Sequence, residues 1–198
     1  YEADDILATL AHQGSEGGFN VLVVSGDRDT FQLINDNVTV LYPSARGVAE
    51  LKRYTPDAVE ERYGVRPERY PDVAALVGET SDNLIGVDKV GEKTAVKWIT
   101  QYGSLDALLA AAEEIPGVVG HNLREQKDRV IRNRELNHLL TDIDVGVSLE
   151  ALERGPIDVD AVTKVFGELA FKTLTNRVLA LGGTTSIASE SVVAPEAV

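Results

Sequence analysis

Seven carboxylates in three short clusters set the strongest condition on what this chain can become: Glu2, Asp4 and Asp5, then Asp27 and Asp29, then Glu79 and Asp82. Like charges brought within a few ångströms of one another raise the energy unless positive charge lies between them. A pair of divalent cations removes that cost. The chain has no cysteine and only His12, His121 and His138 as imidazoles. The available donors are therefore oxygens, which favour Mg²⁺ or Mn²⁺ over zinc.

The segments between the clusters read as an α/β core. Residues 1–13 carry Ile6, Leu7, Leu10 and Ala11 at the spacing of an amphipathic helix. After Gly17 and Gly18, the run from Phe19 to Ser25 is apolar and rich in β-branched residues, the pattern of a buried strand in a parallel sheet. Asp27 and Asp29 follow it directly, and in open α/β sheets functional groups gather beyond the strand tips. Val38 to Tyr42 predicts a second strand and Glu50 to Tyr54 an edge strand. Residues 57–63 and 67–77 predict two short helices with proline near the first turn, where its missing N–H costs nothing.

The stretch from Gly78 to Ala95 is the most specific in the chain. A glycine-punctuated turn, Gly86 to Gly91, precedes a helix over 92–102 with Ala95, Val96 and Ile99 inward and Lys93 and Lys97 outward. Backbone N–H groups at such a helix start attract anions, and a phosphodiester backbone suits lysines one and two turns further on. The plainer alternative is an ordinary tight turn. Net charge is −13, which taken alone opposes a nucleic-acid partner. The basic residues are unevenly placed, however. Lys89, Lys93 and Lys97 recur every four positions, and Arg124, Lys127, Arg129, Arg132 and Arg134 crowd into eleven residues. Either set reads as a phosphate-binding face or as a solvated helix face.

Further helices are expected over 105–115, 122–140, 158–169 and 171–181, a strand over 142–148, and Trp98 in the core. After Gly182 the composition turns to small residues, as in a disordered tail or interdomain linker. No apolar run has the length of a membrane span, and no signal segment opens the chain, so a soluble intracellular protein is expected.

Glu2–Asp5 (EADD), Gly26–Asp29 (GDRD), and GETSDN followed by GVDKVGEKTA in the stretch from Gly78 resemble the bacterial 5'-nuclease family. Its members include flap endonucleases and the N-terminal 5'-to-3' exonuclease domain of DNA polymerase I. The likeness runs through Val130–Leu140 to about Leu181, and resembles most the polymerase I version of high-GC Gram-positive bacteria. It implies a PIN-like 5'-nuclease fold, a parallel sheet flanked by helices with a mainly helical helix-three-turn-helix part that binds DNA. Residues 1–77 would be the C-terminal portion of the catalytic core, 78–182 the helical DNA-binding part and 183–198 the tail. The resemblance further implies two-metal hydrolysis of phosphodiesters at 5' flaps, nicks and RNA-primer ends in replication and repair. Glu2, Asp4 and Asp5 would serve mainly one metal site, with Asp27, Asp29, Glu79 and Asp82 lining the second. Gly86, Val87, Lys89, Gly91, Lys93, Thr94 and Lys97 would contact duplex DNA, with K⁺ on the hairpin carbonyls. A linked polymerase domain and a cytoplasmic, nucleoid-associated location would follow.

Two departures stand out. Glu79 occupies a position usually held by Asp, and Asp88 and Lys89 replace a frequent proline and a usual glycine; lysine is strained there if that position needs positive φ. The family's first strand with its Asp, a further ligand and the helical arch are not recognisable in the sequence, so this polypeptide alone is expected to be weakly active or inactive. A non-catalytic DNA-binding module and a metal phosphohydrolase for small substrates are the competing readings.

Overall fold

A computed structural model describes residues 1–44 and 47–182. The chain divides into two units, 1–149 and 150–198.

In the first unit, α1 (Ala3–Glu16) leads into β1 (Val21–Val24), a 3-10 turn (Asp29–Leu33), β2 (Val38–Ser44) and β3 (Gly47–Tyr54). β1 runs parallel to β2, with Val23 opposite Val40, and β3 returns antiparallel to β2, with Tyr54 opposite Val40. The sheet order is β1-β2-β3, so β1 lies at an edge among the described residues. The expected fully buried strand is therefore only half covered: Val23 is buried, while Leu22 and Val24 are 53% and 58% exposed. Continuous apolar sequence encodes burial on both faces, and here only one face of β1 is packed.

Two hydrophobic cores form among the described residues. The first gathers Ala11, Val23, Val38, Val40 and Val59 around Phe31. The Phe31 ring meets those of Tyr42, Tyr54, Tyr63 and Tyr70 at centroid distances of 4.6 to 5.7 Å, which suits the tilted and edge-on geometry aromatic quadrupoles prefer. The second core is helical. It joins α3 (Tyr70–Val77), α4 (Glu92–Tyr102), α5 (Leu105–Ala110), α6 (Gly117–Glu125) and α7 (Lys127–Leu136) through Leu76, Trp98, Ile99, Leu108, Leu123 and Val130. α2 (Pro56–Tyr63) precedes α3, capped by the Thr55 hydroxyl and closed by Gly64 at φ 75°. α3 touches both cores, because Tyr70 and Ala74 pack on the aromatic side and Val73, Ala75 and Leu76 on the helical side.

Several sequence expectations change in detail. The helix expected over 122–140 breaks at Gln126, whose side chain is engaged by Asp88 rather than following helical packing. Residues 105–115 split into α5 and a 3-10 turn, Ala112–Glu114. The expected strand over 142–148 is a turn in which the Asp144 carboxylate accepts from Gly146 N–H, with Gly146 at φ 70°. In the second unit, α8 (Val159–Glu168) and α9 (Lys172–Gly182) form a helix pair. The tail expected over 183–198 lies outside the described residues. Among the described residues no helix is long and apolar enough to cross a membrane.

Candidate metal centre and nucleic-acid interface

Each acidic cluster is set by local backbone chemistry. At the start of α1, Asp5 accepts from the Glu2 backbone N–H at 2.9 Å and from the Leu140 N–H at 2.9 Å. These bonds hold its carboxyl below the usual carboxylate range, and the side chain is 9% exposed. Asp5 thus pins α1 to the segment after α7, and it does not line the acidic cavity that its neighbours share.

The loop after β1 is locked in a similar way. Ser25 Oγ accepts from Asp27 N–H, Asp27 Oδ1 accepts from Asp29 N–H at 2.8 Å, and Thr30 Oγ1 donates to the Asp27 carbonyl at 2.6 Å. An aspartate bonding the backbone two residues on is the usual means of fixing such a turn. It aims Asp27 and Asp29 together at the cluster from α1.

The third cluster sits on a small hairpin of β4 (Gly78–Glu79) and β5 (Leu84–Ile85). Gly78, at φ 79°, admits no larger residue: a Cβ there would meet Gly86 N at 2.2 Å. Asn133 on α7 fastens this hairpin by donating to the carbonyls of Ala75 and Ile85 at 3.1 and 2.9 Å.

Glu2, Asp4, Asp27, Asp29 and Asp82 then line one cavity of about 200 Å³, closed on its other side by Leu84, Leu136 and Leu139. Glu79 lies at the wall of a neighbouring cavity. Burial pushes the Asp29 carboxyl up to about 7, with Glu79, Asp27, Asp82 and Asp4 adding to the effect. Burial and neighbouring carboxylates raise Asp4 and Glu79 as well. Asp29 Oδ1 is buried with no hydrogen-bond partner. Among the described residues no three of these side chains close on one point as a finished metal cage. Carboxylates with no cation between them repel, which favours that spread. An all-oxygen donor set, an orphaned buried carboxylate oxygen and raised proton affinities together fit a hard divalent cation.

A second feature faces outward. Gly86 presses against the end of α3, where a Cβ would lie 2.1 Å from the Val77 carbonyl oxygen. Val87 and Val90 anchor the turn in the helical core. Lys89 sits at φ 65°, the left-handed region. Gly91 starts α4 with no side-chain cap, and Lys93 and Lys97 project from it, exposed. Thr94 N–H closes the first turn onto the Gly91 carbonyl. The opening N–H groups of α4 therefore remain available to an anion.

The arginine-rich segment does not form one outward face. Arg124 donates to the carbonyls of Ala112 and Ile115, Arg129 to that of Gly86, and Arg134 to the buried Asp72 at 2.9 Å. Lys127 and Arg132 are exposed and make no hydrogen bond or ion pair among the described residues. Sequence reasoning also passed over Arg28, and over Asn133 and Asn137, two buried asparagines four residues apart, one on α7 and the other capping its end. That spacing was the readable signal for the asparagines.

Family models match the chain from residue 1 to residue 160. Residues 1–64 match the 5'-3' exonuclease N-terminal resolvase-like domain, and residues 65–160 match the 5'-3' exonuclease C-terminal SAM fold. The chain belongs to the 5'-3' exonuclease family. Within it, the chain is 50% identical over 177 residues to DNA polymerase I of Mycobacterium tuberculosis, and 40% identical over 178 residues to DNA polymerase I of Bacillus subtilis, 89% of this chain in both cases. It spans 20% of the length of either polymerase. The fold also matches the bacteriophage T5 flap endonuclease in a pseudo-enzyme-product complex with DNA and metal ions, at a TM-score of 0.63 and 22% identity, covering 92% of this chain and 60% of that one. A zinc-bound T5 5'-exonuclease matches at a TM-score of 0.62 and 23% identity, covering 91% and 60%.

Proposed function

We propose that this chain carries the carboxylate site and the duplex-docking surface of a structure-specific 5'-3' nuclease that cleaves DNA and RNA-primer strands at flaps, nicks and primer ends, in the cytoplasm and close to the chromosome. The supporting observation is the convergence of Glu2, Asp4, Asp27, Asp29 and Asp82 on one cavity with a buried, unpartnered oxygen on Asp29. These five side chains would hold two Mg²⁺ or Mn²⁺ ions, with Glu79 reaching in from the adjoining wall. Bound there, the ions would supply an activated water and neutralise the departing 3' oxygen. Asp5 contributes by fixing the direction of α1, and the Asp27 turn by holding two carboxylates side by side.

Gly86 to Thr94, with Lys93 and Lys97, would bind the phosphates of the duplex beyond the cut. K⁺ on the hairpin carbonyls is the weaker component of this reading, because Gly86 O and Asp88 O already accept from Arg129 and Asn122. A guanidinium at 3.2 Å competes directly with a bound cation. A linked polymerase, as in the relatives, is part of the same proposal.

A non-catalytic binding module would gain affinity for phosphate by losing these carboxylates, and their retention weighs against it. The test uses the longer protein and a labelled 5'-flap substrate. Cleavage is expected with Mg²⁺ and not with EDTA, and Asp27→Ala should abolish it while leaving duplex binding intact. Undiminished cleavage by Asp27→Ala would remove these carboxylates from the reaction.

A further inference from the structure

Beside the acidic cavity lies a second one of about 360 Å³, reached across Glu79. Its floor is apolar and aromatic, made by Tyr63, Tyr70, Val73 and Ala74, while Arg28 and Arg62 stand at its wall. Arg28 lies in sequence between Asp27 and Asp29, yet it makes no ion pair with either; it lines the second cavity together with Tyr63, Tyr70 and Glu79. Alternation along the loop thus sends two carboxylates into one cavity and the intervening guanidinium into the other. Arg62 is stacked over the Tyr63 ring at 5.1 Å, and like Arg28 has no carboxylate within ion-pair distance among the described residues. One guanidinium stacked on an aromatic ring and a second lining the same cavity, beside an apolar and aromatic floor, match a ligand with a planar ring at one end and an anion at the other. Glu79 and Glu92, which also line the cavity, can accept from exocyclic amino groups and would repel a phosphate, so the anionic end belongs beside the arginines. The volume is at the small end of the range of about 300–1,000 Å³ typical of ligand sites, which suits one nucleotide unit.

We propose that this cavity is a nucleotide pocket, in which one base of the strand passing the carboxylates lies against Tyr63 and the floor while its phosphate meets Arg28 and Arg62. Identifying the ligand as part of a nucleic-acid strand rests on the nuclease reading above. Binding of a free nucleotide does not, since that ligand contains no phosphodiester to cut, so failure of one reading is separable from failure of the other.

The test titrates deoxyadenosine 5'-monophosphate, deoxyadenosine and inorganic phosphate separately into the 198-residue chain in EDTA, following the tyrosine ring resonances by NMR. Saturable shifts of the Tyr63 and Tyr70 rings are expected with the nucleotide, with weaker binding of the nucleoside and of phosphate. Arg62→Ala, an exposed position, should weaken nucleotide binding about three- to tenfold. Ala74→Phe, which fills the floor, should abolish it, with a thermal melt confirming that the variant folds. Unshifted tyrosine rings, undiminished affinity in Arg62→Ala, or phosphate binding as tightly as the nucleotide would each overturn the proposal.

Discussion

Asp29→Asn is expected to stabilise the metal-free protein while destroying the site. Asp29 is partly buried among four other carboxylates, and its carboxyl is pushed from 3.8 up to about 7. Between about pH 4 and pH 7 the folded protein keeps a proton on Asp29 that the unfolded chain has released. Stability therefore falls as pH rises through that window and levels off above about 7. At about 1.4 kcal/mol per pH unit the full effect is bounded near ~4 kcal/mol, and partial solvent screening reduces it to about 2 kcal/mol. An amide at position 29 carries no charge, and the turn survives because it is the Asp29 backbone N–H that bonds Asp27. Urea unfolding followed by Trp98 fluorescence, in EDTA at pH 5 and pH 8, gives the comparison. Asp29→Asn should be more stable than the parent by about 2 kcal/mol at pH 8, and by much less at pH 5. Added Mg²⁺ should raise the parent's midpoint and have a smaller effect on the variant. Equal stability of the two proteins at pH 8 would refute the claim that charge repulsion is stored at this carboxylate.

Other perturbations probe the surrounding frame. Asp72→Ala strips the acceptor from the buried Leu105 N–H and the partner from Arg134; a loss of about 2–4 kcal/mol in urea unfolding is expected, and a loss under 1 kcal/mol would mean solvent replaces both bonds. Lys89→Gly should raise stability by about 0.5–1 kcal/mol, since Lys89 holds φ 65° without the freedom glycine has; a lower melting temperature would show the lysine side chain to be stabilising. Lys93→Ala should weaken duplex binding and reduce the slope of log affinity against log salt by about 1, whereas an unchanged slope would take Lys93 out of phosphate contact.

Much of the fold was legible because its elements announce themselves locally. The periodicity of residues 1–13, the β-branched runs of β1 and β2, Pro56 opening α2 and Pro67 just ahead of α3 depend on near neighbours alone. The acidic clusters were legible for the same reason, since each is a few residues long and lies at or beside the end of an element. What escaped was decided by distant partners. Asp5 reads like Asp4 until Leu140 arrives 135 residues later to occupy it. Arg124, Arg129 and Arg134 read like Arg132 until carbonyls and Asp72 claim three of them. The break at Gln126 has no glycine or proline to mark it, and the side chain at the break is bonded to Asp88, 38 residues away.

The uncovered margin of β1 bears on how this chain behaves in solution. A strand with one free row of amides and carbonyls, and with Leu22 and Val24 bare on its outer face, is a template onto which any extended segment can zip. Phe19, 60% exposed just before the strand, enlarges that sticky seam. For the 198-residue chain, crowded copies can pair along this seam, so its tendency to associate should rise with concentration.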